Sequence, residues 1–164
     1  MTETPERKAL GDLLLAAQDV LSGMSEARTA LGMVPSGPDD FVAMPLLQRL
    51  ASRALLKCVE QLQDLLARSL RATLILEQID PAGLSPRAIA DRAEALGILP
   101  DSDRWSQLVR LRNQLVHEYP LPRLQQFARF VDAWDATDDL TSIAASVARH
   151  AEHSLNVRSD HERL

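Results

Sequence analysis

Aromatic residues, cysteine and long apolar runs are all scarce in this chain of 164 residues. Aromatics make up only 4% of it, and apolar runs that alternate with polar residues are missing, which excludes a domain built mainly of half-buried β-strands. The single cysteine, Cys58, excludes an intramolecular disulfide and is interpreted as a small buried hydrophobic residue. No apolar run approaches the roughly 20 residues that cross a bilayer. We therefore expect a cytoplasmic protein without membrane contact.

An excess of basic residues is also missing. The chain has 18 Lys and Arg against 23 Asp and Glu, for a formal net charge of −5 at pH 7. Proteins that are broadly coated by nucleic acid usually present a basic surface. The balance of charge therefore argues against such a protein, although it leaves room for a small local phosphate site.

The apolar content is dominated by leucine and alanine, both of which favour helix. Apolar residues account for 46% of the chain and charged residues for 25%, as is ordinary for a globular domain. We predict an all-α fold, an antiparallel bundle of four to five helices joined by short loops, in one domain over residues 1–155. A polar, frayed tail over residues 156–164 is expected to follow it.

Caps, prolines and glycines set the predicted helix bounds. We expect helices near residues 5–31, 39–76, 86–96, 101–119 and 122–153, with the last one interrupted at 135–139. The second helix has a wide apolar stripe, so we expect it to contact neighbours on two sides. Its predicted apolar set is Leu47, Leu50, Ala54, Leu55, Cys58, Val59, Leu62, Leu65, Leu66 and Leu70. Its other face has mixed charge, from Arg49 to Arg71, and is interpreted as solvated surface.

The fourth predicted helix ends in an unusual polar run, Arg112-Asn113-Gln114-Leu115-Val116-His117-Glu118-Tyr119. Arg112 occupies a position where the apolar repeat of this helix predicts leucine, and a guanidinium is costly to desolvate without an anionic partner. Each residue turns an ideal helix by about 100°, which places Asn113 beside His117 but His117 about 140° from Arg112. Either the last turn distorts before Pro120, or a second subunit completes the site. We favour the second subunit, and hence a homodimer.

The residue types in this run suit phosphate chemistry. His117 can act as acid or base near neutrality, and the planar fork of Arg112 can bind two phosphate oxygens. Arg110 flanks Asn113 and His117 and is a candidate substrate contact. Each residue alone also has a simpler interpretation: a solvated histidine, an arginine that reaches a buried aspartate, and a half-buried Tyr119 in the core. Their joint occurrence before a proline favours a site.

The pattern Arg112-x-x-x-x-His117-x-Tyr119, with Asn113 after the arginine, resembles the signature of the HEPN superfamily, and most closely its HepT-like toxins. The preceding segment, residues 95–100 followed by 108–113, is also similar to that group. The resemblance implies a toxin of a toxin-antitoxin pair, a metal-independent endoribonuclease that dimerises so that two motif helices line one cleft. His117 would activate the ribose 2′-hydroxyl, Arg112 would hold the phosphate, and Asn113 would orient substrate or His117.

The resemblance further implies a partner. In HepT-like proteins an MNT-type nucleotidyltransferase antitoxin transfers AMP to the motif tyrosine and silences the toxin, which makes Tyr119 the expected modification site. The chain departs from many relatives at Pro120-Leu121-Pro122, where they have polar or acidic residues. Its acidic segment from Asp132 onward would repel RNA if that surface lay beside the cleft.

Two other functions remain open at this point. The chain could be a non-catalytic helical dimer that binds a nucleotidyltransferase or a nucleotide, as its net acidity suits. A metal site through His150 and His153 is the third alternative, but two histidines three residues apart make a poor ligand set. We therefore expect neither metal nor cofactor.

Overall fold

The computed structural model describes residues 4–117 and 121–158, and every regular element within these ranges is α-helix, as the composition predicts. The described residues form six helices. They are α1 (Pro5–Leu31), α2 (Pro38–Val42), α3 (Leu46–Leu76), α4 (Pro86–Ala95), α5 (Ser102–Val116) and α6 (Arg123–Leu155).

Helix α3 lies at the centre of the fold and contacts α1, α4, α5 and α6. Its most extensive partner is α1, whose buried face includes Leu10 and Leu14. Leu55, Leu62 and Leu66 of α3 are wholly buried. The prediction that this helix contacts neighbours on more than one side is therefore confirmed.

The predicted single helix over residues 39–76 is wrong, because Pro45 divides it. Proline has no N–H to donate and disfavours helical geometry in the residue before it, so α2 ends at Val42 and α3 begins at Leu46. The break changes the start of α3. Leu47 and Leu50 were predicted to be buried, but their exposed fractions are 67% and 51%.

Capping residues fix the ends of α4 and the start of α5. The side chain of Ser85 accepts a hydrogen bond from the N–H of Ala88, and Gly97 takes a positive φ of 71° just after α4. The Asp101 carboxylate accepts from the N–H groups of Asp103 and Arg104 at 2.8 and 3.0 Å. The buried face of α5 then packs on α3.

The predicted interruption of the last helix is wrong, since α6 runs unbroken from Arg123 to Leu155. The polar residues at its middle have partners outside the helix: Asp138 pairs with Arg28 and Asp139 with Arg104, both at 2.6 Å. The frayed tail does not begin at residue 156 either, because Val157 is buried and its N–H donates to the carbonyl of Ala151.

Cys58 is half-buried on the side of α3 that faces α1, where its Sγ lies against Gly23. Burial, and then the nearby Glu26 carboxylate, raise the pKa of this thiol. Both observations agree with a packing role. None of the described helices is both long enough and apolar enough to cross a membrane.

Candidate active site

Helix α5 carries the Arg112-x-x-x-x-His117 pattern. Trp105, Leu108, Leu111 and Leu115 are buried on one face of this helix, as the apolar repeat predicts. Val116, placed on the same arc by the ideal helix, is instead exposed. Arg112 therefore lies at the edge of the apolar face rather than at its middle.

Arg112 reaches across to α3. Its Nη2 donates to Oδ2 of Asp64 at 2.8 Å, and its Nη1 donates to Oδ1 of Asn113 at 3.3 Å. The hydrogen bond to Asp64 raises the pKa of Arg112 above its ordinary value, and the charges of Asp64 and Glu60 act in the same direction. The buried Nε of Arg112 has no hydrogen-bond partner among the described residues. Part of its donor fork is therefore held by Asp64, while Nε stays unsatisfied.

The early end of α5 decides where His117 lies. The helix was predicted to continue to Tyr119, but it ends at Val116, and His117 has the non-helical angles φ −87° and ψ 83°. Pro120 explains the difference, because a proline clashes with the carbonyl four residues earlier, here that of Val116. The ideal separation of 140° between Arg112 and His117 thus no longer applies. The last turn is therefore distorted at His117, but Arg112 is not among the described residues that line the same cavity as His117.

His117 lines an open groove of about 660 Å³. One wall is the polar edge of α3, and the other is formed by His117 together with the start of α6. Arg129 of α6 links the two helices at this wall, since its Nη1 donates to the carbonyl of Gln114 at 3.1 Å. The floor of the groove is apolar and includes Phe41, Met44, Leu56 and Leu115.

The groove is basic although the protein is acidic. Four cationic side chains line it, namely Arg49, Arg53, Lys57 and Arg129. Glu60 is the one carboxylate among the described lining residues, and it already accepts from Nζ of Lys57 at 2.8 Å. The local field therefore favours an anion near His117.

Arg110 and Asn113 are placed differently from His117. Asn113 is exposed and contacts Arg112. Arg110 lies in a second depression, of about 300 Å³, together with Arg104, Asp132 and Asp135. The structure therefore does not bring Arg110 into the groove of His117. The acidic segment that would repel RNA beside the cleft contributes Asp132 and Asp135 to this second depression.

The remaining predictions concern the modification site at Tyr119 and the alternative metal site at His150 and His153. Tyr119, the expected modification site, lies outside the described residues. His150 contacts Oε1 of Glu77 at 2.6 Å, whereas Nδ1 of His153 lies 2.9 Å from the carbonyl of Arg149. Within residues 4–117 and 121–158, no three His, Cys, Asp or Glu side chains come close enough together to hold a metal ion.

The basic side chains from α3 are the part of the groove that sequence reasoning missed. Arg49, Arg53 and Lys57 were assigned to a solvated face of mixed charge. Their spacing of four residues was the available signal, since it places them along one edge of a helix. Only the fold brings that edge opposite His117.

Comparison with protein-family models, curated proteins and solved structures finds no match for this chain.

Proposed function

We propose that this protein is an endoribonuclease toxin of the HepT-like type, which cleaves RNA without a metal ion at a site built around His117. The observation that carries the proposal is the position of His117, at the end of α5 in a groove lined by four cationic side chains. A histidine suits proton transfer near neutrality, and the cations suit a polyanionic substrate. Because the chain as a whole is acidic, a local excess of cations is not explained by its composition and supports an anionic substrate.

The proposed reaction is a transesterification. His117 takes the proton of a ribose 2′-hydroxyl, the 2′-oxygen attacks the adjacent phosphorus, and the bond from phosphorus to the 5′-oxygen breaks. The leaving 5′-oxygen takes a proton from water, and the hydroxide that remains takes the proton back from His117, so the products are a 2′,3′-cyclic phosphate and a 5′-hydroxyl. Arg112 does not line the groove of His117 in its own chain, so it would stabilise the phosphate from the second subunit, and Asn113 would orient the substrate or His117.

A homodimer is part of the proposal. Four large apolar side chains near the starts of α3 and α6 are more than half exposed: Leu46, Leu47, Leu50 and Leu124. Exposed apolar surface of this kind marks an interaction site, and a second copy of the chain would cover it. The expected mass in solution is twice the 18.1 kDa of one chain, and a strictly monomeric protein would contradict a site shared between two subunits.

Silencing by an MNT-type nucleotidyltransferase completes the proposal. Tyr119 would accept AMP, and the residues on either side of it that the structure describes, His117 and Leu121, both line the groove. An adenylyl group on Tyr119 would add bulk and negative charge to the motif. The proposal also places the protein in the cytoplasm, together with its RNA substrate.

The direct test compares the wild type with Arg112→Ala and His117→Ala for RNA cleavage in vitro and growth arrest on expression. The proposal expects activity in the wild type and its loss in both variants. Equal cleavage and equal arrest by all three proteins would exclude a catalytic role for this site.

A second candidate, a non-catalytic dimer that binds a nucleotidyltransferase or a nucleotide, is favoured by the ion pair of Arg112 with Asp64. Such a pair can hold α5 on α3 without any chemistry. A wild-type protein that leaves RNA intact, but forms a stoichiometric complex with a purified MNT-type nucleotidyltransferase, would support this candidate instead.

A further inference from the structure

The basic wall of the groove extends along α3, away from His117, and its cations are evenly spaced. Arg49, Arg53 and Lys57 are four residues apart and all line the groove. Four residues of helix rise about 6 Å, so the three side chains span about 12 Å along α3. That length is comparable to the span of three successive phosphates in an extended nucleic-acid strand.

We propose that Arg49, Arg53 and Lys57 form a phosphate track, which binds a single RNA strand and leads it to His117. This inference rests on the proposed ribonuclease function and adds the part of the chain that would hold substrate outside the Arg112 motif. The track is defined by these three side chains alone.

The two arginines of the track are available for a ligand. Both are exposed, and neither has an ion pair or side-chain hydrogen bond to any residue that the structure describes. Arg28 and Arg104 are engaged within the fold, since they pair with Asp138 and Asp139, each at 2.6 Å. Arg68 and Arg71 of α3 are also exposed and have no ion pair within the described residues, but they do not line the groove. In a chain with more carboxylates than cations, two adjacent unpaired arginines in one groove are suited to an external anion.

The floor of the groove favours a nucleic-acid strand over an acidic peptide. It is apolar, and the ring of Phe41 lies in it, half-buried, with its centroid 5.0 Å from that of Phe130. Sites for single-stranded nucleic acid combine a basic groove that follows the backbone with aromatic surface on which bases stack. An acidic peptide would use the cations but would gain little from this floor.

The test measures binding of fluorescein-labelled 2′-O-methyl RNA, which lacks the 2′-hydroxyl and so cannot be cleaved by the proposed reaction. Affinity is determined by anisotropy at several salt concentrations for the wild type and for Arg49→Ala/Arg53→Ala. The matched control is Arg68→Ala/Arg71→Ala, which removes the same charge from exposed positions on α3 that do not line the groove. Circular dichroism checks that all three proteins remain helical.

Each phosphate contact on a single strand contributes about −0.7 to the slope of log affinity against log salt, so the track predicts about −2 for the wild type. Removing two of its three cations should flatten that slope by about 1.4 and weaken binding about tenfold at low salt. The control pair should change either quantity far less. Affinity of the wild type should also rise with length from two to about five nucleotides, and the Arg49→Ala/Arg53→Ala variant should lose this rise.

Three results would overturn the track: no binding by the wild type, equal losses in the two double variants, or equal affinity for polyglutamate of the same charge. After either of the first two results, any remaining RNA binding would be an effect of net charge and not of the track. The third result would assign the groove to acidic peptides. The probe cannot be cleaved, so binding is measured separately from cleavage. Failure of the ribonuclease function and failure of the phosphate track can therefore be told apart. The first shows binding of the probe but intact RNA, and the second shows cleavage that the Arg49→Ala/Arg53→Ala variant retains at limiting RNA.

Discussion

Two depressions border α5, and they differ in charge. Among the described residues, the groove beside His117 has four cationic side chains and one carboxylate, and that carboxylate is paired with Lys57. The depression that contains Arg110 has two arginines and two aspartates, the latter being Asp132 and Asp135. Balanced charges are what solvated surface requires, whereas a local excess of one sign raises the concentration of the opposite ion.

Net charge therefore says little about a single site. The chain carries five more acidic than basic residues, yet the surplus does not lie in the groove. Asp138 and Asp139 are used in ion pairs with arginines of α1 and α5. The acidic composition therefore stabilises contacts between helices while one groove stays basic.

The largest effect is expected from His117→Ala, which removes the proposed base from the basic groove. A positioned base contributes about 10²-fold to 10⁴-fold to a rate, so cleavage of RNA should fall by that factor. His153→Ala is the matched control, because His153 is exposed on α6 and its Nδ1 faces the carbonyl of Arg149. Gel analysis of end-labelled RNA measures both rates, and a similar fall in the two variants would remove the distinction between the groove and the rest of the surface.

A smaller effect is expected from Asp64→Asn, which weakens the tie between α3 and Arg112. The carboxylate is about half exposed, so the free energy of unfolding should fall by only about 1 kcal/mol. Urea denaturation measures this change. Asp19→Asn, at an exposed position of α1 that has no ion pair within the described ranges, should change it by less than about 0.5 kcal/mol. Equal stability of all three proteins would show that the ion pair contributes nothing to the fold.

The smallest effect is expected from Asp132→Asn/Asp135→Asn, which would make the second depression basic as well. Surface charges are each worth a few tenths of a kcal/mol, so affinity for single-stranded RNA should rise only about twofold to threefold. The salt dependence measured by anisotropy should steepen only slightly. If these two substitutions raise affinity tenfold or more, the second depression rather than the groove is the better anion site.

Composition and local patterns were enough to predict the helical class, the bounds of α1 and the start of α4 at Pro86. The helix bounds were wrong where a single proline, or a contact with another helix, had a larger effect than the local apolar repeat. Pro45 divides a predicted helix whose apolar residues continue on both sides of it, and Pro120 ends α5 at Val116 rather than at the residue before the proline. The aspartates in the middle of α6 suggested a break, but ion pairs with other helices allow the helix to continue.

The candidate site was only partly predictable for a related reason. His117 and Arg112 stand out in the sequence because they interrupt an apolar repeat at the end of a helix. Asp64 and Arg53 lie between 48 and 64 residues before Arg112 and His117 in the sequence, where they have the pattern of ordinary surface charges on α3. Their relation to α5 depends on how α3 and α5 pack, which a local pattern does not contain.

Metal-independent cleavage at His117 is tested most directly by the chemistry of the RNA ends that the purified wild-type protein leaves in the presence of EDTA. Transesterification gives fragments with 2′,3′-cyclic phosphate and 5′-hydroxyl ends, which mass spectrometry should identify with the wild type and not with His117→Ala. RNA that stays intact in EDTA, or fragments with 5′-phosphate ends, would contradict this mechanism.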